Sequence, residues 1–310
     1  MNVSGVGKHV SFGTISFKGA CDWCNKPRAA DVTLKQCGGC KVTWYVCTSR
    51  SSTKVPPTYA TLGLSTVAEL IQVAKDWSVA HKLSLFMLTT VLIELGGGVD
   101  VALQHTHAVV FEVGPPGKAY DGSPATAFTL EAMGYHHKDK VRSDVVAAQW
   151  SAPVTARREA YARKCRNNPD VAGLVPVTFS LRGSPVSPST SFPICRPRTP
   201  GPRVADERTR AALRALPGFV TPVVNEGLVF RAPADAGQVV PDVGKLVWGR
   251  KDWVWIPPVD VGTRELIQFL RLCESEYRAS HGPLDSFTAY HQLWPYHLLQ
   301  DSADSVRSPP

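Results

Sequence analysis

The sequence predicts an α+β fold with a small cysteine-rich module at its amino end, and three observations carry that reading. Five of the eight cysteines fall between residues 21 and 47. Both helix-like and strand-like hydrophobic periodicities follow, with no internal repeat. A stretch with six prolines at 183–203 then divides the body. The expected organisation is a lead-in at 1–20, the cysteine module at 21–57, a helix and strand region at 58–182, a Pro/Ser/Arg-rich linker at 183–204, and an α+β region with a polar tail at 205–310.

The 310 residues are enough to bury a real core, and 44% apolar with 19% charged content belongs to the globular class. Net charge is +8, distributed unevenly: residues 131–214 hold 15 Lys/Arg against 7 acids. A basic surface favours nucleic acid or acidic partners without specifying either. The first twenty residues lack the apolar core of a secretory signal. The longest apolar stretch, residues 83–93, is half of the roughly 20 residues a membrane span needs. The expected setting is intracellular and reducing, nucleus or cytoplasm undistinguished, where thiols prefer metals to disulfides.

In chain order, Thr66 and Glu69 form a capping-box pattern, followed by Val67, Leu70, Ile71, Ala74 and Trp77 at helical spacing. Residues 82–95 are almost uniformly apolar and read as a buried helix, stopped by Gly96-Gly97-Gly98. Residues 106–113 and 174–181 read as strands, the second at an edge because of Pro176. A basic helix is expected from Pro153 to about Arg166, with Arg157, Arg158, Arg163 and Lys164 along it. Further helices are expected at 206–216, 263–280 and 286–300, with strands at 227–231 and 245–256.

The cysteine spacing is Cys21-x2-Cys24-x12-Cys37-x2-Cys40-x6-Cys47. Each C-x2-C puts two sulfurs on one tight turn, at a separation that a tetrahedral ion bridges. Asn25, Lys26 and Pro27 follow the first pair, and Gly38-Gly39 fill the second. Glycines there let backbone amides turn toward the sulfurs. Five merely buried thiols would not account for the paired spacing. With no run of the iron–sulfur type, Zn2+ is the expected ion.

At CDWCNKP and LKQCGGCKVTWYVC the chain resembles the MYND-type zinc finger, particularly as found in large families of fungal proteins. The resemblance implies two zinc ions held in an interleaved arrangement by seven cysteines and one histidine. Carried over, Cys21, Cys24 and Cys47 fall to one ion, and Cys37 and Cys40 to the other. Val46 stands between Tyr45 and Cys47, Ser51 stands where the sixth cysteine belongs, and the closing Trp, His-Lys and Cys segment does not follow. Two arrangements therefore stay open. Either Cys21, Cys24, Cys37 and Cys40 share one ion, as in a zinc ribbon, or distant side chains complete two sites. His81 is then the candidate, because Trp77 and His81-Lys82 echo the finger's closing residues. MYND fingers bind short proline-containing peptides of partner proteins, so the resemblance implies that partner class, with Trp44 and Tyr45 lining a groove. A weaker likeness to the same fungal proteins runs through AKDWSVAHKLSLFM and QHTHAVVFEV, then LVPVTFSLRG and SFPICRP, where it implies a downstream strand pair.

Other clusters have plainer expected readings. His105 and His107 have only Asp100 and Glu112 as nearby acids and read as loop and strand-start histidines. His136-His137, beside Lys138 and Lys140, reads as a solvated loop. Trp248, Trp253 and Trp255 flank Arg250 and Lys251 and read as a hairpin turning over 249–252, its tryptophans packed inward. The rival to peptide binding is nucleic-acid binding through the basic region. No phosphate loop, dinucleotide fingerprint, serine elbow, H-E-x-x-H or SET-type Asn-His-Ser-Cys motif occurs, so a non-enzymatic binding module is expected.

Overall fold

A computed structural model describes residues 34–36, 44–46, 55–117, 120–137, 170–184, 187–196, 205–233, 238–249, 252–257 and 286–294. Among these the chain is a mixture of helix and sheet, as expected of α+β. At the amino end, β1 (Leu34–Gln36) and β2 (Trp44–Val46) form an antiparallel pair. The expected helices at 153–166 and 263–280 lie outside the described residues.

Helix α1 (Val67–Ala80) begins where the capping pattern places it. Thr66 Oγ1 accepts from the Glu69 amide at 3.2 Å, and Glu69 Oε2 accepts from the Thr66 amide at 3.1 Å. It ends at His81, whose backbone (φ −95°, ψ 21°) breaks the helix. Helix α2 (Lys82–Leu95) leaves at 78° to α1. A helix apolar on nearly all sides needs cover on nearly all sides. Among the described elements, α2 packs against α4 (Glu207–Asn225), β6 (Ser189–Cys195) and β7 (Leu228–Arg231). Gly97 and Gly98, at φ +117° and +83°, turn the chain into α3 (Val99–Leu103) through conformations that side chains resist.

The main sheet has the order β4-β3-β5-β6, built from β3 (His107–Gly114), β4 (Thr129–His137), β5 (Val171–Leu181) and β6. β3 pairs antiparallel with β4 and parallel with β5, and β5 pairs antiparallel with β6. Two expectations change here. β5 is interior, not an edge strand. Phe179 donates to Pro188 on the β6 side, so by alternation Pro176 points toward β3. The parallel ladder with β3 begins only at Val177, and the missing N–H interrupts no rung. Residues 189–195, which composition places within a linker and the family likeness places in a strand pair with 174–181, are an outer strand, because β5 is buried along most of its length and needs a partner on that side.

Helix α4 runs well past the expected end at 216, through Pro217 and Pro222. Each internal proline costs about 3 kcal/mol in an isolated helix. Leu213, Leu216, Val220, Val223 and Val224 form a buried stripe, and each such side chain contributes about 1.5–3 kcal/mol. The stripe outweighs the prolines. A second sheet, order β7-β8-β9, is completed by β8 (Asp242–Trp248) and β9 (Trp253–Ile256), and α5 (Ser286–Leu293) packs on α4.

Aromatic rings lock α1 to the main sheet. Trp77 meets Phe128 and Phe179 edge-on, each at 6.1 Å between ring centroids, and Phe179 stacks on Phe111 at 5.8 Å. Tyr59, edge-on to Phe128, donates its hydroxyl toward the carbonyl of Arg182 at 2.9 Å. No single helix is long and apolar enough to cross a membrane among the described residues.

Candidate functional site

Cys21, Cys24, Cys37, Cys40 and Cys47 lie outside the described residues; what is described is the strand pair between them. Leu34 is opposite Val46, Lys35 opposite Tyr45, and Gln36 opposite Trp44. Gln36, which immediately precedes Cys37, and Val46, which immediately precedes Cys47, therefore lie at opposite ends of the ladder. With about 3.4 Å rise per residue, those ends are about 7 Å apart along the strands. The seven residues 37–43, joining the strands, carry Cys37-Gly38-Gly39-Cys40.

His81 stands elsewhere, at the corner between α1 and α2 and fully buried. Its Nε2 is 2.9 Å from the carbonyl oxygen of Ala125, which fixes Nε2–H as the donor. Trp77 lies 5.2 Å away, ring to ring. Burial pushes the His81 pKa down to about 4, so the ring is neutral at pH 7. This walled-in imidazole, its Nε2–H committed to a carbonyl, is part of the packing at the α1–α2 corner.

The histidines of two separate motifs come together on the main sheet. His107 opens β3 and His137 closes β4, and the register places them directly opposite. Alternation puts both, with Tyr135, on the face that carries Val109 and Phe111 into the core. The two imidazoles are 5.0 Å apart between centroids at 79°, and His107 stacks on Tyr135 at 4.8 Å and 22°. His107 Nδ1 is hydrogen-bonded to Thr106 Oγ1 at 2.9 Å. Burial, with a smaller contribution from the charge of His137, lowers the His107 pKa. Burial also raises the Tyr135 phenol to about 12. A Cβ on Gly96, at the end of α2, would collide with the Tyr135 ring, so that glycine makes room for the stack. His136-His137 is thus the end of a strand and not a solvated loop. The signal was present in the alternation of residues 129–137, but adjacent lysines masked it. His105, exposed and at φ +56°, stays in the turn before β3.

The tryptophan hairpin turns where expected, with the Gly249 amide donating to the Asp252 carbonyl at 2.9 Å. Its tryptophans divide. Trp255 packs back on its own sheet, donating Nε1–H to the Val229 carbonyl at 3.1 Å beneath the Arg231 guanidinium at 4.9 Å. Trp248, expected inside, is 44% exposed and meets Trp253 edge-on at 5.3 Å. Val247 and Val254, facing each other on the opposite side of the hairpin, are also exposed. The hairpin tip therefore presents apolar surface on both faces.

Among the described residues, no group of three or more His, Cys, Asp or Glu side chains is arranged to hold a metal ion. No family model, curated protein or solved structure matches the chain.

Proposed function

We propose that residues 21–47 are a zinc-binding, MYND-like protein-interaction module, carried on the α+β body and serving to capture short proline-containing peptides of a partner. The single observation that carries this reading is the β1–β2 ladder, whose ends adjoin Cys37 and Cys47 respectively. In the interleaved assignment Cys37 and Cys40 serve one ion while Cys21, Cys24 and Cys47 serve another; in the ribbon-like one Cys21, Cys24, Cys37 and Cys40 share a single ion. Zinc supplies the cross-links that so short a segment lacks, worth about 10–16 kcal/mol of folding free energy for a complete structural site. Trp44 and Tyr45, on β2 beside Cys47, are the aromatic positions for a proline-rich ligand.

Metal stoichiometry on purified chain tests the first half: two ions per chain support interleaving, one supports a ribbon-like site, and none overturns the proposal. Retention on an immobilised proline-rich peptide, lost on chelation and on Cys37→Ser, is expected for the second half. A second reading, single-stranded nucleic-acid binding, is favoured by the exposed Trp248 beside a turn whose sequence contains Arg250 and Lys251. That reading requires affinity for an oligonucleotide that falls steeply with salt, survives chelation and is lost in Trp248→Ala.

A further inference from the structure

We infer that His107 and His137 form a second metal site, independent of the cysteine module, in which one divalent transition ion of the Zn2+/Ni2+/Cu2+ class bridges the ends of β3 and β4. Three features of the pair support it.

The first is separation. With a metal–nitrogen distance of about 2 Å, two imidazoles on one ion at about 90–110° have ring centroids about 4.5–5.2 Å apart. His107 and His137 stand at 5.0 Å, within that range, and lie directly opposite each other in the β3–β4 register. The second is orientation. A ligating imidazole characteristically donates its other ring N–H to a fixed acceptor, which sets both tautomer and ring direction. His107 Nδ1 is already hydrogen-bonded to Thr106 Oγ1 at 2.9 Å, which leaves Nε2 as the nitrogen for an ion, and stacking on Tyr135 limits rotation of the ring. The third is access. Both imidazoles stand at the last described pair between β3 and the outer strand β4, and both are only half-buried, so an ion can approach them from solvent.

Imidazole nitrogen selects the borderline ions over Mg2+ or Ca2+, which prefer oxygen. Two protein ligands leave the remaining coordination positions to solvent or to a donor from another molecule. The location gives the ion a role. β4 is the outer strand of the main sheet, and β3 and β4 have their last described pair at these two residues. A bridging ion clamps that end, just before the chain enters the Lys138 to Lys140 stretch of the basic region.

The test is calorimetric titration of Ni2+ into full chain that carries zinc only on its thiolates, prepared by stripping weakly held zinc from the imidazole pair at pH 5 and returning the chain to pH 7 without free zinc. One additional equivalent is expected. His107→Gln and His137→Gln should each weaken it at least tenfold, and Thr106→Val severalfold. His136→Gln, on the other sheet face, should leave it unchanged. Far-UV circular dichroism and the urea midpoint show whether each variant remains folded. Paramagnetic broadening by Ni2+ in wild-type chain, expected at His107 and Tyr135 resonances first, reads the site without any variant. Absence of the extra equivalent, or equal affinity in wild type and both glutamine variants, overturns the inference, as does broadening that spares His107. Because the zinc content of the cysteine module is measured beforehand, failure here leaves that proposal standing, and its failure leaves this one.

Discussion

His81 and His107 are the same side chain in two regions that differ in what surrounds them. At the α1–α2 corner, His81 is fully buried, committed to the Ala125 carbonyl and boxed by Trp77. At the rim of the main sheet, His107 is half-buried and faces a second imidazole across the strands, and Thr106 fixes one of its nitrogens. Burial lowers both pKa values, yet the consequences diverge. The corner histidine is neutral packing material whose protonation would break the fold. The rim histidine is only half-buried, at the end of the strand pair. Chemistry follows access, and the residue type alone does not reveal which kind of histidine a position holds.

The comparison breaks most readily at the corner. Trp77→Ala removes the ring that joins His81, Phe128 and Phe179, and a loss of about 3–5 kcal/mol is expected in urea unfolding. A loss below about 1 kcal/mol would mean that the corner is not packed as described. Acid should act next. His81 has a folded pKa of about 4 against 6.5 for the free side chain, so between those values the unfolded chain binds the proton that the folded chain refuses. Its stability contribution is fully present above about pH 6.5, falls as pH drops, and is exhausted near pH 4. By linkage the total is roughly 3 kcal/mol. Urea midpoints from pH 7 to 4 should fall along that curve in the wild type and lose this component in His81→Gln. Identical slopes in the two proteins would place His81 in contact with solvent.

What was legible beforehand follows the reach of each signal. The capping box at Thr66 and Glu69, the buried helix at 82–95 and its glycine stop are local patterns, and they stand where the periodicity put them. Signals that depend on a distant partner were not legible. Nothing near Pro176 says that β3 pairs only from Val177 onward, and composition alone hides the strand at 189–195, which only the family likeness suggests. The prolines at 217 and 222 read locally as breakers, while the stripe that overrides them is covered by α2, α5, β4 and β7, none of which the local sequence names. The histidine pair is the extreme case. His107 and His137 are 30 residues apart, in motifs that each looked bland, and only the β3–β4 register joins them. The cysteine spacing is local and legible in the sequence, whereas the β1–β2 pair at 34–36 and 44–46 carries no such signal.

A smaller effect sharpens the corner by grading one helix from end to end. Thr66 caps α1 at its exposed end, while Trp77 and His81 lie at the buried end. Thr66→Ala removes the acceptor for the Glu69 amide, and about 1 kcal/mol of stability should go with it, with no change in the pH dependence assigned to His81. A loss comparable to that of Trp77→Ala would imply that α1 folds as a unit nucleated at its cap, and that the corner merely inherits its order.

The smallest expected effect lies at the rim. Metal-free His107→Gln replaces a half-buried ring by a planar amide at the end of β3. It removes the stack on Tyr135 without opening a cavity in the core. Stability should fall by only about 0.5 kcal/mol, within the usual range for surface substitutions. Saturating Ni2+ should widen the gap, because an ion that binds only the folded wild type adds stability in proportion to RT ln(1 + [L]/Kd), about 2.7 kcal/mol at one hundred times Kd. The variant, deprived of one ligand, should gain far less from the same concentration. A rim histidine is therefore expected to be nearly silent in the metal-free protein and decisive in the loaded one, the reverse of His81, which no added ion should affect. If metal-free His107→Gln instead destabilised the fold as severely as Trp77→Ala, His107 would belong to the core, and the contrast between the two regions would collapse.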